Sequence, residues 1–137
     1  MYHKIILIGN LGRDPEMRYT PDGTPVTTLS VAANRKWTNA DGSPGEETTW
    51  FRVTAWRRLA ETAAQYLSKG RQVFIEGRLQ SDPQTGGPRV WTRQDGTAGA
   101  SFEVTADSIR FIGGRAEAGN AAGMSAEAFD AAEEIPF

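Results

Sequence analysis

The sequence predicts an all-β domain carrying one short helix, a five-stranded Greek-key barrel with extended hairpins, followed by a polar tail. Three observations predict it. Five short segments are apolar runs or alternate apolar and polar residues with period two. Only one stretch has apolar residues at helical spacing. Beyond residue 112 no β-branched residue occurs until Ile135, so that stretch has too little apolar surface to fold.

Residues 4–9, KIILIG, read as a buried strand that stops at Gly9-Asn10. LGRDPEMRYTPDGTP follows as loop, with Asp14-Pro15 and the turn signal Pro21-Asp22-Gly23. Val26 to Asn34 sets Leu29, Val31 and Ala33 against Thr28, Ser30 and Ala32, a half-buried strand. TNADGSPGEE, 38–47, reads as a long polar connection into a third strand, TTWFRVTAW, 48–56. In RRLAETAAQYLSKG the apolar residues Leu59, Ala63, Tyr66 and Leu67 mark one helical face, and Gly70 occupies the place of a C-cap. RQVFIEGRLQ, 71–80, is a fourth strand with Val73, Ile75 and Leu79 on one face. SDPQTGGP turns, RVWTR (89–93) runs back, QDGTAGA turns again, and SFEVTADSIRFI (101–112) closes the domain. Three strands, a helix and two more strands favour an OB-fold, because a sandwich wants more strands and no helix. The chain therefore divides into a domain over 1–112 and a tail over 113–137.

Composition narrows the function. The chain has no cysteine, hence no disulfide and no thiolate metal site, which fits a reducing, cytoplasmic address. Its first apolar run, Ile5 to Ile8, is too short for a signal-peptide core or a membrane span. His3 is the sole histidine, and no carboxylates pair at a common site, so neither catalysis, a metal nor a cofactor is expected. Residues 1–115 hold all fifteen Lys and Arg against twelve Asp and Glu, leaving +3, whereas the remaining five acids meet no base. A mildly basic body suits an anionic partner, and an acidic tail suits a basic one.

The aromatic pattern says which anion. Along WFRVTAW, alternation places Phe51, Val53 and Ala55 inside and Trp50, Arg52, Thr54 and Trp56 outside. RVWTR repeats the motif with Arg89, Trp91 and Arg93, and NRKW adds Arg35, Lys36 and Trp37. Tryptophan is by habit a core residue. Burying indoles flanked by guanidinium groups would cost several kcal/mol per charge, so the solvated face is cheaper. Exposed indoles in turn call for a partner. Flat π-surfaces beside fixed positive charge suit single-stranded nucleic acid, whose bases stack while its phosphates meet Arg and Lys. Duplex readout fits poorly: the one helix is Ala-rich, and paired bases are hidden. An RNA-binding or primosome-type OB module stays open, as does a pure protein-interaction domain, which leaves the Trp/Arg faces unexplained.

These residues resemble the bacterial single-stranded DNA-binding protein family. ILIGNLGRDPEMRYTPDGTPV, TTWFRVTAWRRLAETAAQYLSKGRQVFIEGRL and the terminal EEIPF carry the likeness, over 3–80, 89–113 and the tip. The resemblance implies an OB-fold that usually forms a homotetramer, or a dimer of two-domain chains, and wraps single-stranded DNA with little sequence preference and no chemistry. It implies stacking by Trp37, Trp50, Trp56 and Trp91, with Trp56 where the family often has Phe. It implies phosphate contacts by Arg18, Arg52, Arg58, Lys69 and Arg89, and recruitment of replication, repair and recombination proteins by the tip. The chain departs from the family in SDPQTGGP, a longer segment before Trp91, in a short tail poor in Gln and Pro, and in Ala131-Ala132 preceding Glu133-Glu134.

Glu133, Glu134, Ile135, Pro136 and Phe137 form an acidic pair ahead of an apolar tripeptide. The acids steer toward a basic pocket, Pro136 stiffens the approach, and Phe137 offers an aromatic ring beside a carboxylate. Such a tip has to stay accessible, so it belongs on a flexible tether.

Overall fold

The structure, a computed structural model, describes residues 1–112. The tail over 113–137 and its tip residues Glu133 to Phe137 lie outside the described residues. The strands are β1 (Ile5–Leu11), β2 (Glu16–Tyr19), β3 (Pro25–Thr38), β4 (Pro44–Trp56), β5 (Gln72–Leu79), β6 (Val90–Thr92), β7 (Ala98–Ala100) and β8 (Phe102–Phe111). The helix α1 (Arg58–Tyr66) falls between β4 and β5.

The sheet runs β1-β5-β8-β4-β3-β2, and an additional β1–β3 pairing closes the first five of these strands into a barrel. This is the five-stranded OB-type barrel that the element order predicts. Closure depends on Gly9: a Cβ there would lie 2.3 Å from the Ala32 carbonyl oxygen, so only glycine lets β1 cross β3. The interior is filled by fully buried Leu29, Val31, Val53, Val73, Ile75, Val104 and Ile109. Val53 is flanked by Leu29 on β3 and Val104 on β8. Leu59, Ala60 and Ala63 bring α1 into the same cluster. Buried Thr27 fastens the helix by donating its hydroxyl to the Ala60 carbonyl at 2.7 Å.

Several segments differ from the sequence reading. Glu16–Tyr19 is not loop but a strand paired with β3, register Arg18 to Val26. All four of its residues are exposed, so no burial pattern marks it. Half of the polar connection 38–47 is strand, because β3 and β4 continue as a ribbon beyond the barrel, where no apolar face is required. Ala98–Ala100, read as turn, pairs with β6. Leu79 is exposed although Val73 and Ile75 on the same strand are buried: the alternation holds through Gly77 and fails only at the last residue of the strand. The helix ends at Tyr66, with extended Leu67 after it, so Gly70 is not its cap but a later left-handed turn. Tyr66 is exposed, its ring 5.9 Å from Phe111, whereas Leu67 is buried. His3, an ordinary strand-start residue by sequence, accepts the Leu79 N–H at its Nε2, 3.0 Å away.

Three hairpins share one turn: Thr20-Pro21-Asp22-Gly23-Thr24, Asn39-Ala40-Asp41-Gly42-Ser43 and Arg93-Gln94-Asp95-Gly96-Thr97. Each glycine has φ near +90°, and its N–H bonds the carbonyl three residues back, a tight turn followed by a bulge. Hydrogen bonds from hydroxyls and amides hold the three aspartates below the ordinary carboxylate range. The leading donor is the Thr20 hydroxyl for Asp22, the Ser43 hydroxyl for Asp41 and the Thr97 hydroxyl for Asp95. Since the folded-state values are depressed, this support is complete above the usual aspartate range and is lost as pH falls through the lowered values.

Arg57, just ahead of α1, is the one non-glycine at positive φ among the described residues, with φ 58° and ψ −126°. Its N–H is held by the Pro25 carbonyl at 2.9 Å. A side chain in that region costs about 1–3 kcal/mol. Arg57→Gly is therefore expected to stabilise the domain by about 1 kcal/mol, read as a rise in melting temperature. An unchanged or lower midpoint would show the strain to be absent.

Candidate nucleic-acid interface

Residues directly opposite in an antiparallel pair point to the same face. Trp50 faces Ala32, Arg52 faces Ser30, Thr54 faces Thr28 and Trp56 faces Val26. β2 extends two of those rows, Arg18 beside Val26 and Glu16 beside Thr28. One outer face of β2, β3 and β4 thus carries Arg18, Arg52, Trp50 and Trp56, and Val53 and Ala55 fill the other side. Trp50 is 52 % and Trp56 41 % exposed. The two indoles stand six residues, about 20 Å, apart along one strand, with Arg52 between them.

The face is grooved at both indoles. One hollow, of about 350 Å³, is lined by Trp50, Arg52, Arg13, Glu16, Ser30 and Ser101 among others. Arg13 is a basic residue that sequence reading missed, because a loop position gives no alternation to orient it. The same loop meets Lys69: the Asp14 carboxylate accepts the Lys69 N–H at 2.8 Å. A second, more open hollow borders Trp56 with Thr20, Pro21, Asp22, Thr24 and Arg57. Arg58 is exposed at the first residue of α1.

The other two tryptophans lie on separate projections. By register Trp37 and Arg35 take the ribbon face opposite to Trp50, and Lys36 takes the Trp50 face. Trp37 is 39 % exposed, with the Arg35 guanidinium 5.0 Å from its ring centroid and its Nε1–H donated to Asn39 Oδ1 at 2.8 Å. Trp91, 37 % exposed, stands on the separate β6–β7 hairpin with Arg93, which donates to the Ala98 carbonyl.

Not every expected base is free. Arg35 lies 3.4 Å from Glu47, and Lys36 faces Glu46 across the ribbon, so the ribbon carries offsetting charge. Arg89 Nε lies 3.7 Å from Glu103 Oε2, a carboxylate nearly buried beside β4. Among the described residues Arg18, Arg52, Arg58, Lys69 and Arg93 have no carboxylate within ion-pair distance. Nor do the described residues hold a cluster of three potential metal ligands, or a helix long and apolar enough to cross a membrane.

Fold and site together define an OB-type binding module whose outer sheet face offers exposed indoles set among unpaired guanidinium groups. Residues 2–112 match the model of the Single-strand binding protein family, and the chain belongs to that family. A single-stranded DNA-binding protein of Neisseria meningitidis serogroup A is 43 % identical over 115 residues, covering 84 % of this chain and 62 % of the relative. One from Xylella fastidiosa is 40 % identical over 117 residues, covering 85 % and 67 %. The chain thus spans about three-fifths to two-thirds of the length of these relatives. The crystal structure of a deletion mutant of the single-stranded DNA binding protein from Thermus aquaticus superposes with a TM-score of 0.63 at 32 % identity. That match covers 82 % of this chain and 51 % of the other.

Proposed function

We propose that this chain binds single-stranded DNA with little sequence preference and protects it during replication, repair and recombination, as a binding protein rather than an enzyme. The observation that carries the reading is the shared outer face of Trp50, Arg52 and Trp56, exposed on a closed barrel whose core has no need of them. Family membership and relatives named for single-stranded DNA binding support it. Bases stack on Trp50 and Trp56, and on Trp37 and Trp91 where the strand reaches the hairpins. Arg18, Arg52, Arg58, Lys69 and Arg93 meet phosphates, joined by Arg89, Arg35 and Lys36 as the strand competes with their carboxylate neighbours. Titration with oligo-dT is expected to quench tryptophan emission, with an affinity that falls as salt rises because bound counterions are released. Unchanged emission at saturating oligonucleotide, or equal or tighter binding of oligo-rU, would refute the reading.

The domain over 1–112 serves as the DNA-binding unit, and the acidic tail over 113–137 as a recruiting arm. Glu133, Glu134, Ile135, Pro136 and Phe137 would engage replication, repair and recombination proteins at a basic, apolar pocket. Deleting 133–137 should leave oligonucleotide binding intact and abolish capture of such partners. The chain assembles as a homotetramer in the cytoplasm, on the nucleoid. Support for assembly comes from β1, which exposes Ile6 and Ile8 and from Ile5 to Gly9 pairs only with β5, leaving an open apolar edge. Light scattering should return four chain masses, and Ile8→Glu should lower that value.

A further inference from the structure

Indole rings on a protein surface ordinarily sample several rotamers, and ordering one on binding lowers affinity. Three of the four tryptophans here rest against a glycine in a way that restricts them. A Cβ at Gly45 would lie 2.3 Å from Trp37 Cε2, 2.4 Å from Nε1 and 2.7 Å from Cζ2. A Cβ at Gly99 would lie 2.6 Å from Trp91 Nε1 and 2.7 Å from Cε2. A Cβ at Gly12 would lie 2.5 Å from Trp50 Cζ3 and 2.6 Å from Cη2. All are far inside the roughly 3.5–4.0 Å of ordinary carbon contact. In two cases the glycine is the tryptophan's direct cross-strand partner, Gly45 to Trp37 and Gly99 to Trp91. The ladder fixes the backbone of both strands, so an added methyl group would have to lift the ring.

We propose that Gly45 and Gly99 are positioning residues for nucleic-acid binding: each lets an indole lie down on the opposite strand and so holds it in one orientation for an incoming base. The inference rests on the reading of Trp37 and Trp91 as stacking residues. The turn adds to the constraint on Trp37, whose Nε1–H is held by Asn39, itself bonded to the Ser43 hydroxyl at 3.0 Å. Arg35, lying over the same ring, has a flexible side chain that yields to the base and turns to a phosphate. Gly12 seats Trp50 in the same manner from a loop rather than a ladder. None of the three glycines has the positive φ that would require glycine for backbone reasons; the ring is the nearest obstacle at each, joined at Gly99 by Arg93 Cζ at 3.0 Å, the movable end of a flexible side chain.

A cross-strand ring also shields an otherwise bare glycine, and that alone would make the pair a matter of stability. A double-mutant cycle separates the two roles. Affinity for a fluorescein-labelled oligo-dT is measured by anisotropy in the full chain and in Gly45→Ala, Gly99→Ala, Trp37→Ala, Trp91→Ala and the two matched double variants. Melting temperatures are recorded alongside. Each glycine variant is expected to bind roughly five-fold more weakly or worse. The same glycine change made in the matching tryptophan→Ala background is expected to shift affinity less than about two-fold. Gly87→Ala serves as the control with unchanged affinity, since a Cβ there meets only Thr85 Oγ1 at 3.7 Å. Parent-like affinity in both glycine variants overturns the proposal, as does an equal loss with and without the tryptophan. A loss that tracks lowered melting temperature in both backgrounds assigns the glycines to stability alone and overturns it too. If the parent binds but the tryptophan variants bind as well as it does, the stacking role of Trp37 and Trp91 fails and the proposal falls with it. If the parent itself fails to bind, the failure is that of the DNA-binding reading.

Discussion

Val53→Asp is expected to leave the domain unfolded at room temperature. Val53 is fully buried in the barrel portion of β4, its neighbours across the sheet being Leu29 and Val104, also fully buried. A carboxylate there finds no cation in the interior cluster, which is lined by apolar side chains. It must either stay charged in that medium or be protonated far from its ordinary range, and either course costs several kcal/mol. Loss of valine packing adds about 2 kcal/mol. Single domains have only about 5–15 kcal/mol to lose, so the change takes most or all of the stability. Circular dichroism should show loss of the cooperative melt. A folded Val53→Asp variant with a melting temperature near the parent's would mean that this face of β4 is not the barrel interior.

The double variant Trp50→Ala, Trp56→Ala should lose the greater part of the affinity for oligo-dT while keeping the fold. Each indole is half-exposed, and stacking on such a ring is worth about 1–3 kcal/mol per base, or about five- to 150-fold. The singles are expected to differ in stability. Trp50→Ala removes a ring from solvent and from Gly12, with little effect on the core. Trp56→Ala uncovers fully buried Val26, its cross-strand partner on the outer face, and should cost about 1 kcal/mol of stability as well. The salt dependence should persist in both, because the guanidinium groups that displace counterions are untouched. Loss of the cooperative melt in Trp50→Ala, or unaltered oligonucleotide affinity in the double variant, would remove stacking on this face from the mechanism.

Much of this was legible in the chain, and the reason differs by element. The barrel strands could be found because a closed sheet needs an apolar interior, and period two along WFRVTAW sorts Phe51, Val53 and Ala55 from Trp50, Arg52 and Trp56 without any knowledge of neighbours. The turns were legible because Asp-Gly encodes its own backbone: glycine supplies positive φ and aspartate supplies the acceptor. The strand β2 and the outer ribbon of β3 and β4 were not, since neither buries a face and their pairing is decided by register rather than by hydrophobicity.

What the sequence determined by itself was the class of barrel, the outward direction of Trp50 and Trp56, and the chemistry of the face, all of which follow from local alternation and charge. Only the tertiary structure decided which charges remain available and how the rings are held. Glu103 neutralises Arg89, Glu46 and Glu47 stand opposite Lys36 and Arg35, and glycines outside each tryptophan's own strand lie under three of the four indoles. Each of those is a contact made across a hairpin or between separate segments, set by register and tertiary placement, and the alternation within a single strand carries no record of it.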